Sequence, residues 1–233
     1  MFERVEISDP WDMEAKIREH YLSLNTQRTE PRHAGDANIN PSSLVREPGS
    51  KCNKYLGYQA IGTFPNPKIP VWTYKRFASG RALHEERQRI LKAIYGDDIE
   101  IEASISIAEL QLKGKIDGVL HCRFGWEFKP VSSAIFATTL RGSPRRSDID
   151  QTLFYFKGRE LESVTLNYIS MDGKHDEHFV VITFDEQRYD YYRRRIQDEV
   201  LEPIAAGKEP VKYTGSWCGD CPYRIPCNKG LFE

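Results

Sequence analysis

The chain has 233 residues, 39% of them hydrophobic and 29% charged, so it can bury a core and suits one domain with insertions. Its formal net charge of −1 excludes a global basic field, so any contact with nucleic acid must use local patches. No apolar run is long enough to span a membrane, and the N-terminus has no apolar signal core. We therefore expect a cytoplasmic protein with no membrane partner.

Two loops and a helix precede the main predicted elements. An amphipathic helix is expected over residues 9–24, where large apolar side chains fall on one stripe. The polar, basic stretch 25–40 is typical of a loop. The stretch 62–70 contains three prolines and one glycine, which predict a second loop. A new element begins between them at Pro41.

A long helix is predicted from Thr73 to Tyr95, because this stretch is rich in Arg, Glu, Ala and Leu. Gly80 and His84 lie one turn apart on it, and the glycine suggests that something approaches the helix closely. His84 is either a partly buried histidine with a satisfied hydrogen bond, or a metal ligand or phosphate contact. The residues expected to face the core are Leu83, Ile90 and Ile94.

Five strands are predicted in the second half of the chain, with period-two alternation clearest in the first. They span residues 99–107, 109–121, 123–129, 163–171 and 178–184. Pro130 has no N–H to donate, so regular pairing should end there. His175 and His178, beside a turn at Asp172-Gly173, suggest a solvated hairpin tip more than a metal site. A final helix is expected over 185–206.

The chemistry is concentrated between Gly114 and Lys129. Strand side chains alternate faces, so Glu127 and Lys129 should project from the same side, and Asp117 can lie across from them in a hairpin. Two carboxylates in reach of each other suit Mg²⁺ or Mn²⁺, and a neighbouring lysine can orient a water. The alternative is a surface hairpin with a cross-strand ion pair.

Basic residues follow the hairpin in an insertion, Val131–Ser147, that contains Arg141, Arg145 and Arg146. With its glycine and proline, the insertion is expected to be a mobile basic loop. Such a loop is either ordinary solvated surface or a clamp on the DNA backbone.

The next predicted helix spans residues 147–160, with Ser147 or Asp148 as its cap. Gln151 and Tyr155 are four residues apart, so they share one face of it.

The C-terminus contains Cys218-x₂-Cys221-x₅-Cys227, three soft ligands that need a fourth for a zinc site or a four-iron cluster. Cys52, in a loop-rich region, is the better candidate, because Cys122 lies in the hairpin and is expected to be a buried thiol. The spacing does not separate zinc from iron–sulfur.

The motifs occur in a recognisable order. The order is a helix with Gly80 and His84, Gly114-Lys-Ile-Asp117, Glu127-Phe-Lys129, Gln151-x₃-Tyr155 and the cysteines. This resembles the RecB-like iron–sulfur branch of the PD-(D/E)XK nuclease superfamily, which includes CRISPR-associated Cas-four exonucleases, the AddB nuclease domain and phage-encoded relatives. The resemblance covers roughly Ser42 to Cys227. The chain departs from compact members in its loops 25–40, 62–70 and 131–147.

The resemblance implies a role for each matched residue. The implied catalytic set is His84, Asp117, Glu127, Lys129, Gln151 and Tyr155. Mg²⁺ or Mn²⁺ would be held by His84, Asp117, Glu127 and the backbone carbonyl of Phe128. Lys129 would position the attacking water, and Gln151 and Tyr155 would orient the lysine or the scissile phosphate.

The resemblance also implies the architecture. It predicts an α/β, restriction-endonuclease-like core over about 72–206, with a mixed β-sheet flanked by helices, in a single nuclease domain spanning 1–233. An iron–sulfur lobe would be formed by about 42–60 and 212–233. The implied ligands of its [4Fe–4S] cluster are Cys52, Cys218, Cys221 and Cys227.

The implied activity is a metal-dependent DNA exonuclease acting on single strands or DNA ends. Its implied partners are DNA and proteins of CRISPR adaptation or recombination, and its setting is CRISPR adaptation, repair or phage DNA processing. The alternatives are a non-catalytic DNA-binding iron–sulfur module and a zinc-stapled protein-interaction domain.

Overall fold

The computed structural model describes residues 37–46, 49–63, 71–171 and 176–232. The helix predicted over 9–24, most of the two predicted loops, and the turn with His175 lie outside these residues. Within them, no helix is both long and apolar enough to cross a membrane.

Five strands form one mixed sheet in the order β1-β2-β3-β4-β5. Neighbouring strands are antiparallel except β3 and β4, which run parallel and are joined by two helices. This confirms the predicted mixed α/β architecture. The strands are β1 (Ile99–Ile107), β2 (Leu112–Leu120), β3 (Phe124–Val131), β4 (Ser163–Ser170) and β5 (Glu177–Ile182).

The first strand has the predicted bounds, whereas β2 and β3 differ from the prediction. A 3₁₀ turn over Ala108–Leu110 delays the start of β2. Pro130 does not end β3, since it pairs with Ile169 of β4 and the strand runs on to Val131. The expected stop was wrong because β2 has already separated from β3 beyond Trp126, so no partner on that side needs the missing N–H.

Helices cover both faces of the sheet. They are α1 (Pro41–Val45), α2 (Asn53–Ala60), α3 (Val71–Tyr95), α4 (Ser133–Leu140), α5 (Arg146–Arg159), α6 (Glu186–Ile196), α7 (Glu202–Ala205) and α8 (Arg224–Cys227). A π-helical turn, Gln197–Leu201, separates α6 from α7 inside the single helix predicted over 185–206. The main core lies between the sheet and α1, α2, α5 and α6, and a smaller cluster of Leu91, Ile99, Phe128 and Ile169 lies beneath α3.

Three predictions about the helices need correction. Ile94 does not face the core, because it is 65% exposed and Leu91 is the buried residue of that turn. The predicted mobile loop 131–147 contains α4 and the first two residues of α5, and only the short link 141–145 joins the two helices. The predicted caps Ser147 and Asp148 lie inside α5, whose N-cap is Arg145 without a side-chain cap bond.

The C-terminal segment packs on α2. Tyr223 stacks on Tyr58 with ring centroids 5.1 Å apart, and Leu231 joins them in a small apolar cluster. The ammonium of Lys54 also contacts the carboxylate of Glu209 at 2.5 Å. The structure therefore brings together the two stretches predicted to form the cysteine lobe.

Candidate active site

Asp117 lies where β2 and β3 separate. Their last paired residues are Gly118 and Trp126, and the backbone pairing of the two strands ends there. Beyond this pair, the Asp117 side chain bonds to the backbone of β3 instead. The Phe128 N–H donates to Asp117 Oδ2 at 2.7 Å. This contact holds the Asp117 carboxylate beside Glu127 and Phe128, as the hairpin prediction required.

Glu127 and Lys129 do project from the same side of β3, and α5 completes a buried network around them. The Lys129 ammonium donates to Glu127 Oε1 at 2.7 Å and to Gln151 Oε1 at 3.0 Å. The Tyr155 hydroxyl donates to the same Glu127 oxygen at 3.1 Å, and Gln151 Nε2 bonds to both Glu127 and Tyr155. The shared helix face predicted for Gln151 and Tyr155 is confirmed.

The two oxygens of Glu127 have different surroundings. Oε1 accepts from Lys129, Gln151 and Tyr155, whereas Oε2 is buried and has no hydrogen-bond partner among the described residues. Burial raises the pKa of Glu127 above its ordinary value, and the charge of Lys129 opposes that rise. Burial also raises the pKa of Tyr155, so its hydroxyl keeps the proton it donates.

His84 reaches the site from α3. Its Nδ1 lies 3.4 Å from Asp117 Oδ1, and its ring meets Phe128 edge-on at 5.8 Å between centroids. Burial lowers the pKa of His84, but the hydrogen bond and charge of Asp117 outweigh it, so the pKa is raised. Gly80, one turn earlier, lines the same cleft, and an added Cβ there would meet only Pro130 Cγ, at an ordinary 3.8 Å, among the described residues.

The donor set suits a hard divalent cation bound partly by water. No three His, Cys, Asp or Glu side chains form a ready-made metal site within the described ranges. Mg²⁺, however, is usually bound by one or two carboxylates and several waters. Glu127 supplies a buried oxygen that has no partner in the described part of the chain, which is costly unless an ion or donor reaches it. Asp117 supplies a second carboxylate nearby.

The site lies in a cleft of about 620 Å³ that is rich in cationic side chains. Among the described residues of its lining, four carry positive charge, Arg46, Arg81, Lys129 and Arg145, and one, Glu127, carries a carboxylate. Of the arginines predicted to hold DNA, Arg145 lines the cleft, while Arg141 and Arg146 are exposed outside its lining and Arg146 Nε lies 3.9 Å from Asp150.

The four predicted cluster cysteines, Cys52, Cys218, Cys221 and Cys227, line one small pocket. Cys52 is the N-cap residue of α2, and its sulfur accepts from the Tyr213 N–H at 3.5 Å. The sulfurs are not gathered as ligands of one ion. Cys122 is exposed in the β2–β3 turn at φ +60°, so the prediction of a buried thiol was wrong.

Two cleft features were missed at the level of sequence. Ser42 of α1 and Arg46, the C-cap residue of that helix, line the cleft beside α3 and β3. Asp148, for which the sequence predicts a helix cap, is fully buried and contacts Arg46 and Arg145. The position of Asp148, three residues before Gln151, places it near the site in sequence, but its partner Arg46 lies 102 residues away and cannot be inferred locally.

No family model and no curated protein matches the sequence. In fold, the chain is similar to SSO0001, with a TM-score of 0.52, 19% identity, and coverage of 91% of this chain and 95% of that one. It is also similar to LHK-Exo in complex with dAMP, with a TM-score of 0.56, 17% identity, and coverage of 73% and 90%. Another structure of LHK-Exo, an alkaline exonuclease from Laribacter hongkongensis, has a TM-score of 0.48 at 13% identity. The likeness to SSO0001 and to LHK-Exo is therefore one of fold.

Proposed function

We propose that the protein is a metal-dependent DNA exonuclease that hydrolyses phosphodiester bonds in single strands or at DNA ends. The observation that carries this proposal is the buried Glu127 carboxylate. One of its oxygens has three donors and the other has no partner among the described residues, beside Lys129 in a basic cleft.

The fold supports this proposal. LHK-Exo, whose fold is similar, was crystallised with dAMP, a mononucleotide of the kind that an exonuclease releases. A likeness of fold does not define a reaction, so the proposal depends on the residues in the cleft.

The chain's own residues supply most of the expected chemistry. Mg²⁺ or Mn²⁺ would be held by Asp117, Glu127, the Phe128 carbonyl and His84, and a bound ion polarises a phosphate and acidifies a coordinated water. The Lys129 ammonium has three N–H donors, and its contacts with Glu127 and Gln151 use two of them. No described residue accepts from the third, which we assign to the attacking water or the scissile phosphate.

Gln151 and Tyr155 act as positioning residues. They hold Glu127 Oε1 and the Lys129 ammonium at fixed distances, so the lysine does not have to reorganise during the reaction. Both are buried on α5, and their rotamers are therefore fixed by packing.

The charge distribution supports DNA as the substrate. The whole chain carries a formal net charge of −1, yet four of the described residues that line the cleft are cationic. Backbone phosphates bind such a surface by displacing counterions. We include Arg141 and Arg146, which flank Arg145 in the segment after α4, as further contacts to the DNA backbone outside the cleft.

We further propose a [4Fe–4S] cluster at Cys52, Cys218, Cys221 and Cys227, which would place the protein in the RecB-like iron–sulfur branch. The shared pocket of the four cysteines supports this. Burial raises the pKa of the Cys221 thiol, a cost that a bound metal would offset.

A nuclease assay on the full chain tests the proposal. Labelled single strands, duplexes with free ends and circular DNA are incubated with Mg²⁺, Mn²⁺ or EDTA. We expect cleavage of linear DNA only with a metal, and none by Asp117→Asn. Asp97→Asn, which changes an exposed acid outside the cleft lining, is the matched control. DNA binding without cleavage under every condition would instead favour the non-catalytic iron–sulfur module.

A further inference from the structure

Asp148 has surroundings that the proposed chemistry does not use. Its side chain is fully buried, yet both oxygens contact arginines. Arg46 Nη2 donates to Oδ1 at 3.1 Å, and Arg145 donates through Nε to Oδ2 at 2.7 Å and through Nη2 to Oδ1 at 3.1 Å. The Tyr168 hydroxyl adds a fourth bond, to Oδ2 at 3.0 Å.

The two arginines are held close together by this one carboxylate. Both Nη2 atoms contact the same oxygen, so the guanidinium groups cannot be far apart although Arg46 lies on the α1 side and Arg145 precedes α5. Two like charges at this separation repel each other without a counter-charge between them. Asp148 therefore sets the spacing of the pair.

The arginines are not buried with their partner. Their side chains keep 44% and 37% of their surface exposed, and both line the cleft that contains Glu127 and Lys129. The buried carboxylate needs both arginines to offset its desolvation, and the exposed part of each guanidinium still faces the cleft. One carboxylate facing two guanidiniums leaves one net positive charge, with N–H groups at the cleft wall.

We propose that Asp148 is a positioning residue that holds Arg46 and Arg145 as a two-arginine clamp for a DNA phosphate next to the scissile one. Guanidinium groups recognise phosphate oxygens with paired N–H donors, and a fixed pair loses less entropy on binding. Asp148 lies one turn of α5 before Gln151, which contacts Lys129. The same helix therefore positions both the reacting centre and the clamp.

The proposal depends on DNA being the ligand, so its test measures binding separately from hydrolysis. Full-length Asp148→Asn, which keeps the shape but removes the charge, is titrated with a labelled single-stranded oligonucleotide in EDTA at several salt concentrations. Although the substitution adds a positive charge to the cleft, we expect affinity to fall about tenfold, since the two guanidiniums repel each other and lose the spacing that the phosphate requires. The slope of log affinity against log salt should fall by about 0.7 for each phosphate that the clamp no longer neutralises.

Three comparisons separate positioning from mere structure. In an Arg46→Ala/Arg145→Ala background, Asp148→Asn should change affinity no further. Arg159→Ala removes an arginine that pairs with Glu100 at the other end of α5, outside the cleft lining, and should leave affinity and salt slope unchanged. In an active enzyme, Asp148→Asn should raise KM and leave kcat nearly unchanged.

The opposite results would overturn the proposal. Unchanged affinity and slope in Asp148→Asn, or an equal loss with both arginines already removed, would leave Asp148 a structural residue. If Asp148→Asn does not fold, Arg46→Ala provides the same readout from an exposed side chain, and an unchanged slope there refutes the clamp. Clamp variants that lose DNA when no condition gives cleavage would support the clamp and refute the nuclease. Clamp variants that cleave DNA with an unaltered KM would support the nuclease and refute the clamp.

Discussion

Two helix glycines give opposite predictions for the same substitution. Gly80 in α3 and Gly158 in α5 would each gain about 1 kcal/mol of helix propensity as alanine. An added Cβ at Gly80 meets only Pro130 Cγ at 3.8 Å among the described residues, whereas at Gly158 it meets Ile105 Cβ at 3.0 Å. Gly80→Ala should therefore raise the free energy of unfolding by about 1 kcal/mol.

At Gly158 the contact is too short to absorb cheaply, because Ile105 Cβ is bonded directly to the backbone of β1. Overpacking of this kind costs about 1–3 kcal/mol, which cancels or exceeds the propensity gain. Urea unfolding of the two variants and the wild type measures both effects from the midpoints, provided that the slope is unchanged.

Gly80→Ala has a second consequence, because the glycine lines the cleft. If Gly80 leaves room for DNA, the variant should be more stable than the wild type and should bind a single-stranded oligonucleotide more weakly. Equal stabilisation at both glycines would refute the packing argument. Full DNA affinity in Gly80→Ala would refute the close approach of DNA to this helix.

Three further substitutions test separate parts of the structure. Cys52→Ala should lose iron and sulfide after anaerobic purification while exposed Cys122→Ala keeps both, and the reverse would make Cys122 the fourth ligand. Asp185 accepts from the Arg188 N–H at 3.0 Å as the N-cap of α6, so Asp185→Ala should lower the free energy of unfolding by about 1 kcal/mol. Exposed Glu186→Ala, which removes the same charge without the cap, should cost less by thermal or urea unfolding. Tyr155→Phe removes one of three donors to Glu127 Oε1, so kcat should fall while KM for DNA stays unchanged.

Local periodicity explains the predictions that were confirmed. Alternation gave the bounds of β1 and the shared side of Glu127 and Lys129, and the helical repeat gave the shared face of Gln151 and Tyr155. Each of these relations spans only a few residues. Backbone geometry alone therefore determines them.

Relations across the chain were not accessible in the same way. Nothing local to Asp148 indicates Arg46, because α1 and α5 meet only in the tertiary structure. Pro130 stays in β3 because β2 no longer pairs with that part of the strand. Leu91 rather than Ile94 faces the sheet, since Leu91 is the residue of α3 that packs with Ile99, Phe128 and Ile169. The predicted domain limits, 72–206 for the core and 42–60 with 212–233 for the lobe, stay predictions.

Single-turnover cleavage of a labelled single-stranded oligonucleotide tests the central claim most directly. The full chain is compared with Glu127→Gln and Lys129→Ala, and with Lys113→Ala, which removes an exposed lysine from β2. With Mg²⁺ or Mn²⁺, we expect the first two variants to cleave at least about 100-fold more slowly than the wild type, because each loses several kcal/mol of transition-state stabilisation. Lys113→Ala should match the wild type, and EDTA should abolish cleavage. Wild-type rates in Lys129→Ala, or cleavage in EDTA, would contradict the account.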